Sequence, residues 1–328
     1  MSAFSRAPSG KTISAIGPGV AAALLVCWIL FTRGGEILAA LAACPAWVIV
    51  AAVAAHLTTL LLRTEAWRAV LAAAGGESLP ARTVHAANAG AFLVGTVQGH
   101  AALPTRIALL RHLGGSRSPA ATQIALADGP ILGLEICSSA MLAAVAATTV
   151  TAIPAWTPAL LLVTGIGALI ALRLACWRFR DRPLAAGLRI LAAPAGRARL
   201  TAIVLAFTAA ALARTWVVLS AFGLPSDPAS VALLLLSMGA IGLLPLGVAG
   251  TGPAATIATL GPTDMAGAAA AGLVISGAAV CSVCLYATGA WVIGASAGEG
   301  DLEPIAEPSN VIAFPRAAEP EVETELAA

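Results

Sequence analysis

Four charged side chains are surrounded by apolar sequence, and each needs a partner or a cavity. Asp128 and Glu135 lie in ALADGPILGLEICSS, and their spacing of seven puts both on one helix face. Arg214 sits in ALARTWVVLS, and Arg106 closely follows Pro104 in HAALPTRIALL. Placing one such charge in a bilayer costs about 2.5–3.5 kcal/mol, so a cavity or a partner must receive it. Two chemistries fit. In the first, Arg106 or Arg214 grips a phosphate and an acidic residue meets a cationic group along a polar path. In the second, the charges form structural ion pairs between helices or snorkel to the interface.

Other reactive side chains say less. His56, His85, His100 and His112 show no i,i+4 pairing and no adjacent carboxylate, which argues against a metal site. Only His100 falls within a Gly-rich apolar segment and stays a site candidate. Asn88, at the start of that segment, either caps a half-helix or faces a ligand. Cys281 and Cys284 form a C-x-x-C inside a hydrophobic run without a second ligand pair, and read as small packing residues. Gly250-Thr251-Gly252-Pro253 follows no strand, so a nucleotide-binding turn is excluded. It reads instead as a helix break whose half-helix N-terminus attracts anions. The chain contains no G-x-S-x-G, no HExxH and no P-loop. It is therefore read as non-enzymatic, with no cofactor and no nucleic-acid partner.

The elements that position these residues are membrane helices. Mean hydropathy is +0.92 and 10% of residues are charged, against about 25% in a soluble domain. Runs of about 20 apolar residues predict spans near 13–31, 37–62, 119–149, 154–177, 200–222, 229–248 and 266–296. The fold class is an all-α polytopic transmembrane bundle of seven to eight spans with two interrupted or re-entrant segments. Those segments are 86–104 (AANAGAFLVGTVQGHAALP) and 243–262 (LLPLGVAGTGPAATIATLGP). Irregular backbone at membrane depth is tolerated where it lines a protein-enclosed cavity, so the pair marks the candidate site.

Charge sets the orientation. Residues 1–296 carry +9, and the tail 297–328 carries −7 and reads as a disordered acidic extension. The N-terminus, 63–117 and 173–199 hold 15 of the 18 Lys and Arg, which places all three in the cytoplasm. If 86–104 crossed the membrane, the arginines on either side of it would be separated, so a cytoplasmic re-entrant hairpin is preferred. The domains are a short cytoplasmic N-terminus (1–12, with an uncleaved first span), the membrane domain (13–296) and the tail. Residues 182–199 read either as an ordinary basic loop or as an amphipathic stretch for anionic headgroups.

The region from Trp67-Arg68 through Arg106 to Leu109-Leu110-Arg111-His112-Leu113-Gly114 resembles the integral membrane domain of lysylphosphatidylglycerol synthases and their stand-alone flippase-like relatives. That family pairs a Pro/Gly-rich re-entrant turn before an Arg with a late G-x-G-x-x-E break, which Gly250, Gly252 and Pro253 resemble. Leu103 and Ala255 stand where the family carries acidic residues. The resemblance implies a flippase-like membrane domain without aminoacyl transfer that either handles another lipid or uses Asp128 and Glu135 in place of the lost acids.

The expected function is binding or translocation of a phospholipid or polyprenyl-linked lipid in a bacterial inner membrane. Arg106, Asn88, His100, Pro104, Asp128, Glu135, Arg214, Gly250, Gly252 and Pro253 are the site candidates. The alternatives are a non-transporting scaffold for an envelope-synthesis enzyme and a small-solute secondary transporter.

Overall fold

The computed structural model describes residues 27–29, 31–75, 79–115, 118–148, 156–179, 182–241, 247–262 and 264–296, and every regular element among them is helical. The termini 1–12 and 297–328, and most of the span expected at 13–31, lie outside these residues. Five helical runs are long and apolar enough to cross a membrane: Ala46–Ala74, Ala121–Val145, Trp156–Arg178, Pro194–Ala221 and Met265–Ile293. The chain is an all-α multispan membrane protein.

Local chemistry moves several expected boundaries. Helix α1 (31–43) stops at Cys44-Pro45, because a residue before proline is pushed out of the α region. The span expected at 37–62 is therefore divided. Its second part, α2 (Ala46–Gly75, 30 residues), continues past the expected end at 62 through Arg63, Glu65 and Arg68. At 1.5 Å per residue it is about 45 Å long and exceeds the hydrocarbon core. The span expected at 119–149 divides into α5 (Ala121–Leu126) and α6 (Asp128–Ala147). Pro130 explains the division: it donates no hydrogen bond and its ring clashes with the carbonyl four residues back, at Leu126.

Between α2 and α5 stand α3 (Ala81–Val97), a 3-10 turn (Gly99–Ala101) and α4 (Ala102–Gly114). Beyond α6 follow α7 (Trp156–Arg178), a 3-10 turn (Pro183–Leu188), α8 (Arg189–Ala192) and α9 (Pro194–Ala221). The last helices are α10 (Pro228–Ile241), α11 (Gly247–Leu260) and α12 (Met265–Ser296). At 14 residues, α10 is shorter than the span expected at 229–248.

Helices α2 and α9 pack along one another and carry a core at each end. One core gathers Trp67, Val70, Leu110, Ile131, Leu200 and Phe207. The other gathers Val48, Val218, Leu234, Ala255 and Ile275. Six of the seven tryptophans are exposed on the apolar surface, as expected of side chains that favour the membrane interface. Trp67 alone is buried. Cys281 and Cys284 are free thiols on the exposed face of α12.

Candidate functional site

The site is built on the hairpin made by α3 and α4. Its break falls at Gln98, which leaves the helix with φ −140° and ψ 100°. Pro104 is not the breaker: it lies in the first turn of α4, where a missing N–H is harmless. The arms close on small residues. A Cβ on Gly95 would meet Ala102 at 3.2 Å, one on Gly90 would meet the Leu109 side chain, and one on Gly114 would lie 3.3 Å from Leu79. Leu109, Leu110 and Gly114 thus serve hairpin closure, with Leu110 fully buried in the core.

This packing brings Arg106 to the interior, where its residue is 6% exposed. Its Nη1 donates to Asp128 Oδ2 at 2.7 Å. The other carboxylate oxygen, Oδ1, accepts from Trp67 Nε1 at 2.8 Å. The guanidinium carbon lies 4.5 Å from the Trp67 ring centroid and 5.7 Å from that of Phe92. Arg106 is therefore held by one carboxylate and two aromatic faces, from α2, α3 and α6. Its Nε finds no hydrogen-bond partner among the described residues. A buried guanidinium with a spare donor suits a ligand bearing oxygen acceptors.

A second ion pair lies beside the first. Arg63 Nη1 is 3.1 Å from Glu135 Oε2, both side chains are partly exposed, and the Arg63 guanidinium lies over Phe207 at 5.8 Å. Asp128 meets Trp67 and Glu135 meets Arg63, so α6 runs antiparallel to α2 at this level. The shared face anticipated for Asp128 and Glu135 is real, and each carboxylate meets an arginine, Asp128 accepting from Trp67 as well.

Sequence reasoning missed a third group. His85 Nδ1 lies 2.8 Å from Tyr286 Oη, and its Nε2 lies 3.1 Å from Glu65 Oε1. Tyr286 donates to Thr64 Oγ1 at 2.9 Å, and Arg68 donates to Glu65 Oε2 at 2.7 and 3.0 Å. This network ties α3 to α2 and α12. It adjoins the Arg106 site through Phe92, whose ring centroid is 6.0 Å from that of Tyr286. The signals available were the single tyrosine of the chain and a glutamate near the end of an apolar run.

The remaining candidates are not gathered here. Arg214 is buried on α9 and its Nη1 meets His56 Nδ1 on α2, with no carboxylate partner among the described residues. His56 and Arg63 are seven residues apart on one helix, so that contact lies about 10 Å away along α2. His100 is exposed in the turn at the hairpin tip. Asn88 is fully buried in the middle of α3 and so caps no helix, and its Oδ1 has no partner among the described residues. The basic stretch 182–199 folds against α2, with Ile190 and Leu191 in the core and Arg197 and Arg199 exposed.

No break falls at Gly250-Thr251-Gly252-Pro253, since α11 is helical from Gly247 to Leu260 with Pro253 inside it, while the break also expected at Pro245 lies outside the described residues. These residues serve close helix contact. A Cβ on Gly252 would come within 2.6 Å of the Gly272 carbonyl oxygen. Leu103 lies at the partly exposed start of α4, and Ala255 is packed in the second core. Among described residues no cluster of His, Cys, Asp and Glu is arranged to hold a metal ion. No protein-family model matches the chain, and no curated protein matches it.

Proposed function

We propose that this membrane protein binds an amphiphilic lipid by its phosphate-bearing headgroup beneath the α3–α4 hairpin and moves it between leaflets. One observation carries the reading: Arg106, buried in the second turn of α4, is held by a carboxylate that a phosphate can replace. A phosphate presents two oxygens to one guanidinium edge. Along the Nη1–Nη2 edge it would take Nη1 from Asp128, and Nε, which faces the other edge, would be left for a further oxygen of the headgroup. Asp128 would keep its bond to Trp67 Nε1, so the displaced carboxylate is not left bare. Release reverses the exchange.

The likeness of the segment ending at Gly114 to flippase-like domains supports the same reading, as does the hairpin geometry. In this reading the membrane is a bacterial inner membrane and the basic segments face the cytoplasm. The hairpin re-enters from that side. A scaffold for an envelope-synthesis enzyme is the second reading, favoured by α7, which packs chiefly on α6 and exposes most of its apolar surface.

The test is reconstitution into phosphatidylethanolamine–phosphatidylglycerol vesicles, with fluorescent phosphatidylglycerol followed by chemical quenching of the outer leaflet. Loss of a charge-assisted bond of about 1.5–3 kcal/mol corresponds to about 10- to 100-fold slower exchange in Arg106→Gln. An unchanged rate in a folded Arg106→Gln variant removes Arg106 from the mechanism. No exchange by the wild type, with an enzyme co-purifying in fixed ratio, decides for the scaffold.

A further inference from the structure

The network around His85 is unused by the headgroup mechanism, yet it fastens the hairpin that carries Arg106. It runs from a partly exposed end to a buried one: the Glu65 side chain is 30% exposed and that of His85 21%, whereas Tyr286 is 5% exposed and Thr64 fully buried. Hydrogen-bond bookkeeping gives it two states. A carboxylate only accepts, so Nε2 must carry a proton toward Glu65. With a neutral ring, Nδ1 accepts the Tyr286 hydroxyl proton. Thr64 must then donate to Tyr286 or turn to its own helix. With a protonated ring, Nδ1 donates to Tyr286 Oη and the hydroxyl proton swings to Thr64 Oγ1. One proton from water therefore forms one N–H bond and reverses the Tyr286 hydroxyl, with every group still paired.

The charged surroundings favour this use. From α2, Glu65 meets the ring directly and Arg68 holds the other Glu65 oxygen. From α12 the facing group is Tyr286, while Cys281 and Cys284 point outward. From α4, Arg106 packs on Phe92 and stands close enough to Tyr286 to act on it as a positive charge, and Arg111 and His112 are exposed. The part of α11 packed on α3 has no titratable side chain, and on α3 itself Arg82 lies one turn away. The protonated ring adds a positive charge beside Glu65 and tightens α3 against α2. The neutral ring leaves one weaker bond at each nitrogen.

We infer that His85 is a proton-binding site that couples closure of the hairpin, and with it lipid movement, to uptake of one proton per cycle. The inference rests on the translocation reading and deepens it by naming the coupling ion.

The experiment uses the same vesicles, with the membrane potential clamped and a pH difference imposed. One coupled proton sets a steady-state leaflet ratio of the fluorescent phosphatidylglycerol that changes about tenfold per pH unit. The wild type is expected to approach that ratio. His85→Gln is expected to exchange the probe but hold the ratio at one, and Glu65→Gln to lower it, which guards against misfolding of the first variant. Measurable wild-type exchange with a ratio of one overturns the coupling and leaves the proposed function standing. Absence of exchange overturns both. A separate arm measures hydrogen exchange of 81–97 in nanodiscs across about pH 5 to 8, the range in which histidine titrates. A protection step present in the wild type and absent in His85→Gln supports proton binding. No step in the wild type overturns it.

Discussion

The two Gly- and Pro-rich segments look alike as sequence, and their described residues fold differently. In the first, the chain turns back at Gln98 and forms a two-armed hairpin. In the second, the helix runs through Gly250, Gly252 and Pro253 without turning. The difference lies in what the glycines touch. Those of α3 admit Leu109 and Ala102 from the other arm of the same hairpin, and Gly252 admits the backbone of α12. The first region is then fixed by a buried ion pair, the second by close contact of small residues, the usual way helices associate where lipid removes the hydrophobic drive. A polar clasp can open by exchanging partners; a backbone contact cannot. In the proposed mechanism the hairpin is accordingly the moving part and the α11–α12 pair the frame.

The largest effect should follow from removing the clasp on one side. Asp128→Ala leaves Arg106 buried without its carboxylate and Trp67 Nε1 without an acceptor, a change of about 3–5 kcal/mol in resistance to unfolding. The companion Asp128→Leu with Arg106→Met should recover most of that loss, because a buried pair replaced by apolar groups of similar volume is often neutral. Unfolding in detergent, followed by the loss of helical circular dichroism, measures both. If the double variant is as unstable as the single one, the pair is a structural necessity and the clasp is not exchangeable.

The frame gives the next largest effect. A Cβ on Gly272 would lie 2.5 Å from Pro253 Cα and 2.7 Å from its nitrogen, and backbone cannot step aside as a side chain can. Gly272→Ala should cost about 1–3 kcal/mol through overpacking. Gly99→Ala, at the hairpin turn, meets nothing within 4 Å and should leave stability unchanged. Equal melting temperatures for the two variants would dissolve the distinction between frame and moving part.

What was legible in the sequence follows the range of the forces involved. The apolar runs announced the membrane helices because length and hydropathy are local properties. Arg106, Asp128 and Glu135 announced themselves as charges in apolar surroundings, although not which cation would meet which acid. Pairings across 22 and 72 positions depend on how helices pack, and no local pattern encodes them. The same holds for His85, whose partners lie 20 and 201 positions away. Gly252 and Pro253 were misread because a glycine that admits a neighbouring helix and one that bends the chain are identical as letters. The stop at Cys44-Pro45 and the interruption before Pro130 follow from the proline rule alone, a local signal that the long hydrophobic runs around them mask.

A smaller effect of opposite sign should come from Pro253→Ala. The substitution returns an N–H to the interior of α11 and keeps the backbone atoms that Gly272 touches, so stability should rise by about 1 kcal/mol, the net worth of one hydrogen bond. Lipid exchange in vesicles should not change. Slower exchange in a stable Pro253→Ala protein would restore a working role to the second segment.

The smallest effect concerns α10, which packs on α6, α9 and α11 between the two regions. Asp227 accepts hydrogen bonds from the Ala229 and Ser230 amides at 3.0 and 3.1 Å and from the Ser230 hydroxyl at 2.6 Å, and so caps the helix. Burial alone would raise its carboxyl pKa. The Ser230 hydroxyl and the two amides outweigh that and hold it below the ordinary 3.8. A carboxyl held low in the folded state contributes stability in full above its unfolded pKa. The contribution fades as pH falls through the lower, folded value. Asp227→Ala should therefore cost about 0.5–1 kcal/mol near neutral pH. The gap between variant and wild type should close as unfolding is repeated at progressively more acidic pH. A gap that persists below both pKa values would mean that Asp227 acts by packing and not by charge, and that α10 is held by its neighbours alone.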